Sequence, residues 1–479
     1  MKQLSAFMAG RLLSCGRRAG LLLLLAGPAA AQSFGPVSTY PTGASSRPGA
    51  MALNDVNLDG RPDVVVALSN NSVGVLLGLA GGLAPVRAYA AGSGGYPDGL
   101  AVGDVTGDAY PDIVTVGGGS TSLAYVFAGQ ASGFAGPRTY LINTTNFFAR
   151  AVALGDINGD GLTDFVTVSQ NTSNVGIFLA LPGGGFAAVQ QYPMSGTPHF
   201  GVVLGDLNND GRLDIVATAQ ANSQNGGMVE VLLSQPSGGF ASLNYVLGIR
   251  SNPISPIGVA LGDVDGDGRP DIVTANYAAH TVGVLLGQGT GFGAMSSFST
   301  GPGTGPGGVA LGDVNGDGRL DIVTGNYYTS TVSVLCGQAG GGFAAVRSFA
   351  MPPGASATNM ALGDMNGDGR PDIVVSLPNS DEMGVLLNTG TFTPLATARP
   401  TAAEVSVFPN PAHDAFAVTL PAGTAATQAE LLNTLGQVVR RPTVAGPRFT
   451  VETAGLAPGV YSLRLRTGAA VVTKRVVID

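Results

Sequence analysis

Charge and cysteine are what this 479-residue chain lacks most. Only 11% of its residues are charged, tryptophan is absent, histidine occurs three times and cysteine twice. An ordinary soluble domain carries roughly 25% charged residues. Lysine and arginine number 23 against 31 acidic residues, a net charge of −8. Nucleic-acid binding needs a basic face, and this composition cannot supply one. Low charge combined with 44% hydrophobic residues excludes a disordered chain. The longest strongly apolar run near the N-terminus, Leu21 to Ala26, falls far short of the ~20 residues a membrane-spanning helix needs. No G-x-S-x-G elbow, phosphate-binding loop or H-E-x-x-H zinc signature occurs, and His199, His280 and His413 stand far apart. Abundant instead are glycine, at 74 residues, with valine, threonine and leucine. Glycine shows no three-residue period, which excludes collagen. The balance points to an all-β chain with many tight turns.

Residues 1–31 read as a signal peptide. Arg11, Arg17 and Arg18 precede the apolar run, and Ala29-Ala30-Ala31 supplies small residues at a cleavage point. Cys336 is then the sole cysteine of the mature chain, so no internal disulfide is expected. Val334-Leu335-Cys336-Gly337 parallels Val284-Leu285-Leu286-Gly287, which reads Cys336 as a buried substitute for leucine.

One pattern recurs seven times: D-x-[N/D/T]-x-D-[G/A]-x-x-D, at intervals of 49, 52, 50, 57, 50 and 51 residues. These loops hold 22 of the 31 acidic residues. Positions 1, 3, 5 and 9 are Asp55, Asn57, Asp59 and Asp63 in the first loop, and Asp104, Thr106, Asp108 and Asp112 in the second. The third has Asp156, Asn158, Asp160 and Asp164; the fourth, Asp206, Asn208, Asp210 and Asp214; the fifth, Asp263, Asp265, Asp267 and Asp271. The sixth has Asp313, Asn315, Asp317 and Asp321, and the seventh Asp364, Asn366, Asp368 and Asp372. Calcium takes six to eight oxygen ligands, and short oxygen-bearing side chains at this spacing surround one centre. Glycine at position 6 allows a sharp turn. Position 7 offers a backbone carbonyl, from Arg61, Tyr110, Leu162, Arg212, Arg269, Arg319 and Arg370 in turn. Asx-rich turns form without metal, but several like charges in nine residues repel unless a cation relieves them. Up to seven Ca²⁺ ions are expected. The Asp104 loop is the weakest, with Thr106 at position 3 and Ala109 where a left-handed residue is needed.

Each period divides into four short strands separated by Gly, Asn and Pro turns. In the sixth these are Gly308–Asp313, Asp321–Thr324, Thr331–Leu335 and Phe343–Phe349. Four strands per period near 50 predict β-propeller blades, and seven loops predict seven of them. Residues 34–43 match the fourth strand of other repeats but precede the first loop, so they are expected to complete the last blade. These repeats resemble the FG-GAP/VCBS repeats of integrin α-subunit propellers and bacterial surface proteins. The resemblance covers residues 33 to about 395. It implies calcium at the aspartate loops and ligand contacts on the opposite face.

Residues 403–479, after a linker at 396–402, follow another pattern. Tyr461, Leu463 and Leu465 alternate with Ser462, Arg464 and Arg466, as in a half-buried strand. A small β-sandwich is expected. The Pro409-Asn410-Pro411 start, the stretch Leu432 to Gln437, the turn Leu456 to Tyr461 and the basic-apolar end resemble the C-terminal sorting domain of the type IX secretion system of Bacteroidota. That resemblance implies delivery by the secretion machinery to the cell surface or the medium. The whole reads as an all-β, seven-bladed propeller over 32–395 with a C-terminal sandwich.

Carboxylates outside the loops are few. Asp98, Glu230, Asp381 and Glu382 are the candidates for acid–base chemistry, dispersed over several repeats. A polysaccharide lyase or hydrolase is the alternative reading, but no catalytic constellation is expected. A binding module for glycan or protein ligands fits better, because a propeller displays loops on a rigid scaffold. On the face away from the aspartate loops the expected contacts are Tyr96, Phe148, Arg150, His199, Arg250, Tyr277 and Tyr327.

Overall fold

A computed structural model gives the fold. It describes residues 33–390 except 93–95, 119–121, 144–147, 197, 221–225, 249–253 and 290. Of the C-terminal segment it describes 406–408, 415–420, 428–432 and 438–478, without 445, 447, 455, 457–458 and 468–469. The signal-like segment, the linker and Arg250 therefore lie outside the described residues. Two compact units emerge, Met1–Thr393 and Pro394–Asp479. Among the described residues every element is a strand.

Among the described residues the first unit contains seven four-stranded antiparallel sheets, six of them in simple chain order. In the sixth the strands are Pro306–Gly312, Asp321–Asn326, Thr331–Leu335 and Arg347–Ala350. The second strand of each sheet is a continuous apolar or β-branched run leaving an aspartate, and it is buried along its whole length. Such a run suits a strand covered on both faces. The covering comes from neighbouring sheets. First strands lie side by side in the order Pro48–Asn54, Tyr96–Gly103, Ala149–Gly155, His199–Gly205, Pro256–Gly262, Pro306–Gly312 and Met360–Gly363, and the last lies beside the first. The ring is closed by the N-terminus. Ser38–Pro41 pairs with Glu382–Leu386 in the seventh sheet, from Ser38 opposite Val385 to Pro41 opposite Glu382. Asp381 clamps this joint, accepting the Ser45 and Arg47 N–H groups at 2.8 Å each.

The fourth strand starts later than the sequence suggests. Phe343 belongs to a two-residue ribbon, Gly337–Gln338 with Gly342–Phe343, ahead of the strand Arg347–Ala350. Phe343 meets Phe298 of the preceding sheet's outer strand edge-on, with ring centroids 5.0 Å apart. The same edge-to-face pairing joins Tyr89 to Phe134, Tyr140 to Phe186, Tyr192 to Phe240, Tyr245 to Phe292 and Phe349 to Phe34. At the remaining junction Tyr40 packs with Leu83. Each sheet thus latches to the next at its outer edge. Cys336 is half-buried, less enclosed than the leucine-like position read from the sequence, and packs against the core between the sixth and seventh sheets.

In the second unit, Ser406–Phe408, Ala415–Thr419 and Arg448–Glu452 form one sheet. Gln428–Leu432, Val438–Arg440, Gly459–Thr467 and Ala470–Ile478 form another. Phe416, Val418, Phe449 and Val451 of the first sheet share one core with Leu431, Leu463, Leu465 and Val476 of the second. Tyr461, Leu463 and Leu465 are buried while Arg464 and Arg466 are exposed, the alternation read from the sequence.

Candidate metal loops and the opposite face

Each aspartate loop joins the first strand of a sheet to the second, so all seven lie at one end of the ring. The fifth is representative. Asp263 accepts N–H groups from Gly266 at 2.7 Å, Asp267 at 3.0 Å and Gly268 at 2.8 Å. Asp265 accepts the Asp267 N–H at 3.1 Å. Asp267 accepts the Arg269 N–H at 2.9 Å and pairs with the Arg269 guanidinium at 2.9 Å. Asp271 is fully buried; one oxygen takes the Val264 N–H at 2.8 Å and the other the Gly287 N–H at 2.7 Å. The position-9 carboxylate thereby ties the loop to the second residue past the third strand, Thr281–Leu285. The same two bonds recur at Asp63, Asp112, Asp164, Asp214, Asp321 and Asp372.

The loop needs two left-handed residues, at position 6 and at position 4, where glycine in five of the seven loops is the signal that the reading of position 6 alone passed over. At position 6 φ is 86° at Gly60, 86° at Gly268 and 71° at Ala109. Position 4 requires the same, with φ of 83° at Gly266, 58° at Asn209 and 59° at Leu58. Leucine hides this requirement in the first loop.

Burial pushes every position-9 carboxyl above its ordinary range, against the pull of the backbone N–H groups. In all but Asp112 the loop's other carboxylates push further, and Asp321 reaches about 7. The loops are sites of concentrated, partly desolvated negative charge. Their donors are all oxygens. In the fifth loop the carboxylate oxygens of Asp263, Asp265 and Asp267 lie within 4.8 Å of one another, close enough to share a cation. Elsewhere position 3 is Asn or Thr. Thr106, the departure that weakened the second loop in the sequence, places a buried hydroxyl oxygen beside the Asp112 carboxyl. An all-oxygen set of this kind is the donor chemistry that calcium takes.

The turns joining second to third strands lie at the other end. The expected ligand residues do not converge there. Tyr96 is 59% exposed. Phe148 is half-buried, and a Cβ on Gly118 would collide with its ring. His199 is out of solvent's reach, its Nε2 3.3 Å from Glu230, so it cannot serve as a surface contact. Glu230 is equally buried and also accepts the Ser195 N–H at 2.7 Å and that of Gly196. Tyr277 and Tyr327 do meet, with ring centroids 6.4 Å apart, and Tyr328 lies against both. His280 completes this cluster, its Nδ1 accepting the Gly305 N–H at 3.0 Å. Arg150 stands apart, at the centre of the ring, and binds Asp98 at 2.8 Å. Asp98, Glu230 and Asp381 are each held by separate partners, and the structure assembles none of them into an acid–base pair.

Residues 55–115, 156–217, 263–324 and 313–375 match an FG-GAP-like repeat, and residues 406–479 match a secretion system C-terminal sorting domain. The chain carries FG-GAP-like repeats and a type IX secretion sorting domain. Each matched FG-GAP segment spans two successive aspartate loops, so all seven loops fall inside the matches. The sorting domain implies handling by the type IX secretion system and export to the cell surface or beyond. Among the described residues no helix is long and apolar enough to cross a membrane. Comparison with curated proteins finds no match. Among solved structures, the chain is similar to BBS1N in a crystal of its complex with ARL6DN soaked with lead. The TM-score is 0.51 at 11% identity, over 75% of this chain and 97% of that one. The mercury-soaked crystal of the same complex gives 0.49 at 12% identity, over 74% and 96%. The first likeness speaks to the fold alone, which is β-propeller-like.

Proposed function

We propose that the chain is an exported, calcium-stabilised propeller of seven blades, followed by a small sorting sandwich, that acts as a binding module for glycan or protein ligands. The observation that carries this reading is the segregation of the two ends. Seven oxygen-rich loops occupy one end of the ring, and the exposed tyrosines and turns occupy the other. Calcium is given a structural role. Positions 1, 3, 5 and 9 with the position-7 carbonyl would hold it, and it would supply charge neutralisation at each junction of first and second strands. The scaffold then presents the opposite end to ligands, as loops on a rigid frame commonly do. Placement of the sorting domain at the C-terminus supports action outside the cell.

The test is capture of the labelled chain on surfaces coated with polysaccharide or with protein, in calcium and in EDTA. Retention in calcium that EDTA abolishes supports a calcium-supported binding module. No retention on either surface, or turnover of a polysaccharide without retention, contradicts it.

A further inference from the structure

The seven-fold repeat breaks at one level of the ring. Six residues before each loop's first aspartate, three consecutive sheets carry Asp98, Arg150 and Phe200, whereas the first and sixth carry Gly49 and Gly307. One residue later the position is small almost throughout, as at Gly99, Gly201, Gly258 and Gly308. A Cβ on Gly99 would lie 2.7 Å from the Ala151 Cα, and one on Gly258 would lie 2.8 Å from the Gly307 carbonyl oxygen. The first strands are therefore drawn close together. Their free edges face the ring's axis and bring unpaired backbone N–H and C=O groups to it.

These strands enclose an open cavity of about 390 Å³ lined by Asp98, Arg150, Phe200 and Asn359 among backbone and aliphatic groups. That is within the usual size of a small-ligand pocket, roughly 300–1,000 Å³. Arg150 binds Asp98 at 2.8 Å and Gln170 at 2.8 Å, and its guanidinium lies 5.3 Å over the Phe200 ring. Asp98, Arg150 and Phe200 are only half-buried, so their free edges are open to the cavity. Asp98 retains acceptor capacity and Arg150 retains N–H donors. The pair has no net charge. An anion would meet Asp98 and a cation would meet Arg150, while a neutral group with adjacent donors and acceptors satisfies both. Sugar hydroxyls are such groups, and the C–H face of a pyranose suits the Phe200 ring. The backbone groups around the axis also require polar partners.

We propose that this axial mouth binds the uncharged terminal sugar residue of a glycan, with Asp98 and Arg150 as polar contacts and Phe200 as the flat wall. The proposal rests on the binding-module reading and narrows it to one site and one ligand class. The test is a glycan array probed in millimolar calcium with the full chain and with Asp98→Asn, Phe200→Leu and Val246→Ala, each checked by its melting curve. Binding is expected on neutral terminal sugars. It should fall at least tenfold in D98N and in F200L and stay unchanged in V246A, which trims an exposed side chain on the outer strand of the fourth sheet. F200L keeps the Asp98–Arg150 pair, so the test survives a folding failure of D98N. Binding that persists in both axial variants overturns this site while leaving the broader reading in place. Hits confined to uronic or sialic acids, or no hits at all, also overturn it. Retention on protein-coated surfaces then decides the broader reading separately.

Discussion

Ala109 is held at a φ of 71°, a conformation the other loops assign to glycine. Left-handed backbone costs a residue with a Cβ roughly 1–2 kcal/mol. Replacing it with glycine relieves that strain and adds some unfolded-state entropy. Ala109→Gly should therefore raise stability in EDTA by about 1 kcal/mol, read from urea denaturation. A loss of stability would mean that the loop is not strained there. Glu230 provides a residue-scale test of the opposite sign. Burial pushes its carboxyl up, but the bond from His199 and the backbone N–H groups outweigh burial, so it ends below its ordinary value of 4.5. The native carboxyl therefore binds fewer protons than the unfolded one. Its contribution is complete above pH 4.5 and is lost as pH falls through the lowered native value. Glu230→Gln leaves His199 without its charged partner. It should cost about 1–3 kcal/mol at neutral pH, the usual penalty for leaving buried hydrogen-bonding groups without their charged partner. The difference from wild type should shrink on acidification, as followed by denaturation from pH 7 to pH 3.

At the scale of elements, the aromatic latches are the feature the sequence conceals. Phe292 and its counterparts read as the start of a fourth strand because they precede an alternating run. Their destination is the neighbouring sheet, where Phe292 meets Tyr245 edge-on at 5.6 Å and donates its N–H to the Tyr245 hydroxyl at 3.1 Å. Nothing in the local pattern reveals a partner 47 residues away. Phe292→Ala should cost about 2 kcal/mol, below the 3–5 kcal/mol of a fully buried phenylalanine because the ring is half-buried. Thermal unfolding with the Tyr245→Leu variant in a double-mutant cycle should show coupling between the two positions. Strict additivity would deny the latch. The loops were more legible, because repetition of Asp at fixed spacing survives any tertiary context. The axial trio was not, since Asp98, Arg150 and Phe200 stand some fifty residues apart and meet only when the ring closes.

For the molecule as a whole, calcium is proposed to take the role that disulfides play in many exported proteins. At a free concentration ten times its dissociation constant, a site contributes roughly 1.4 kcal/mol. Seven such sites together match a typical folding stability of about 5–15 kcal/mol. EDTA should therefore lower the melting temperature strongly, and calcium should restore it. Occupancy is the most direct measure of the central claim. After exhaustive dialysis against millimolar calcium and removal of free ion, elemental analysis of the folded chain should find six or seven calcium ions per molecule, with the Asp104 loop as the one in doubt. A chain that retains none or one, or that melts at the same temperature in EDTA as in calcium, would contradict the account.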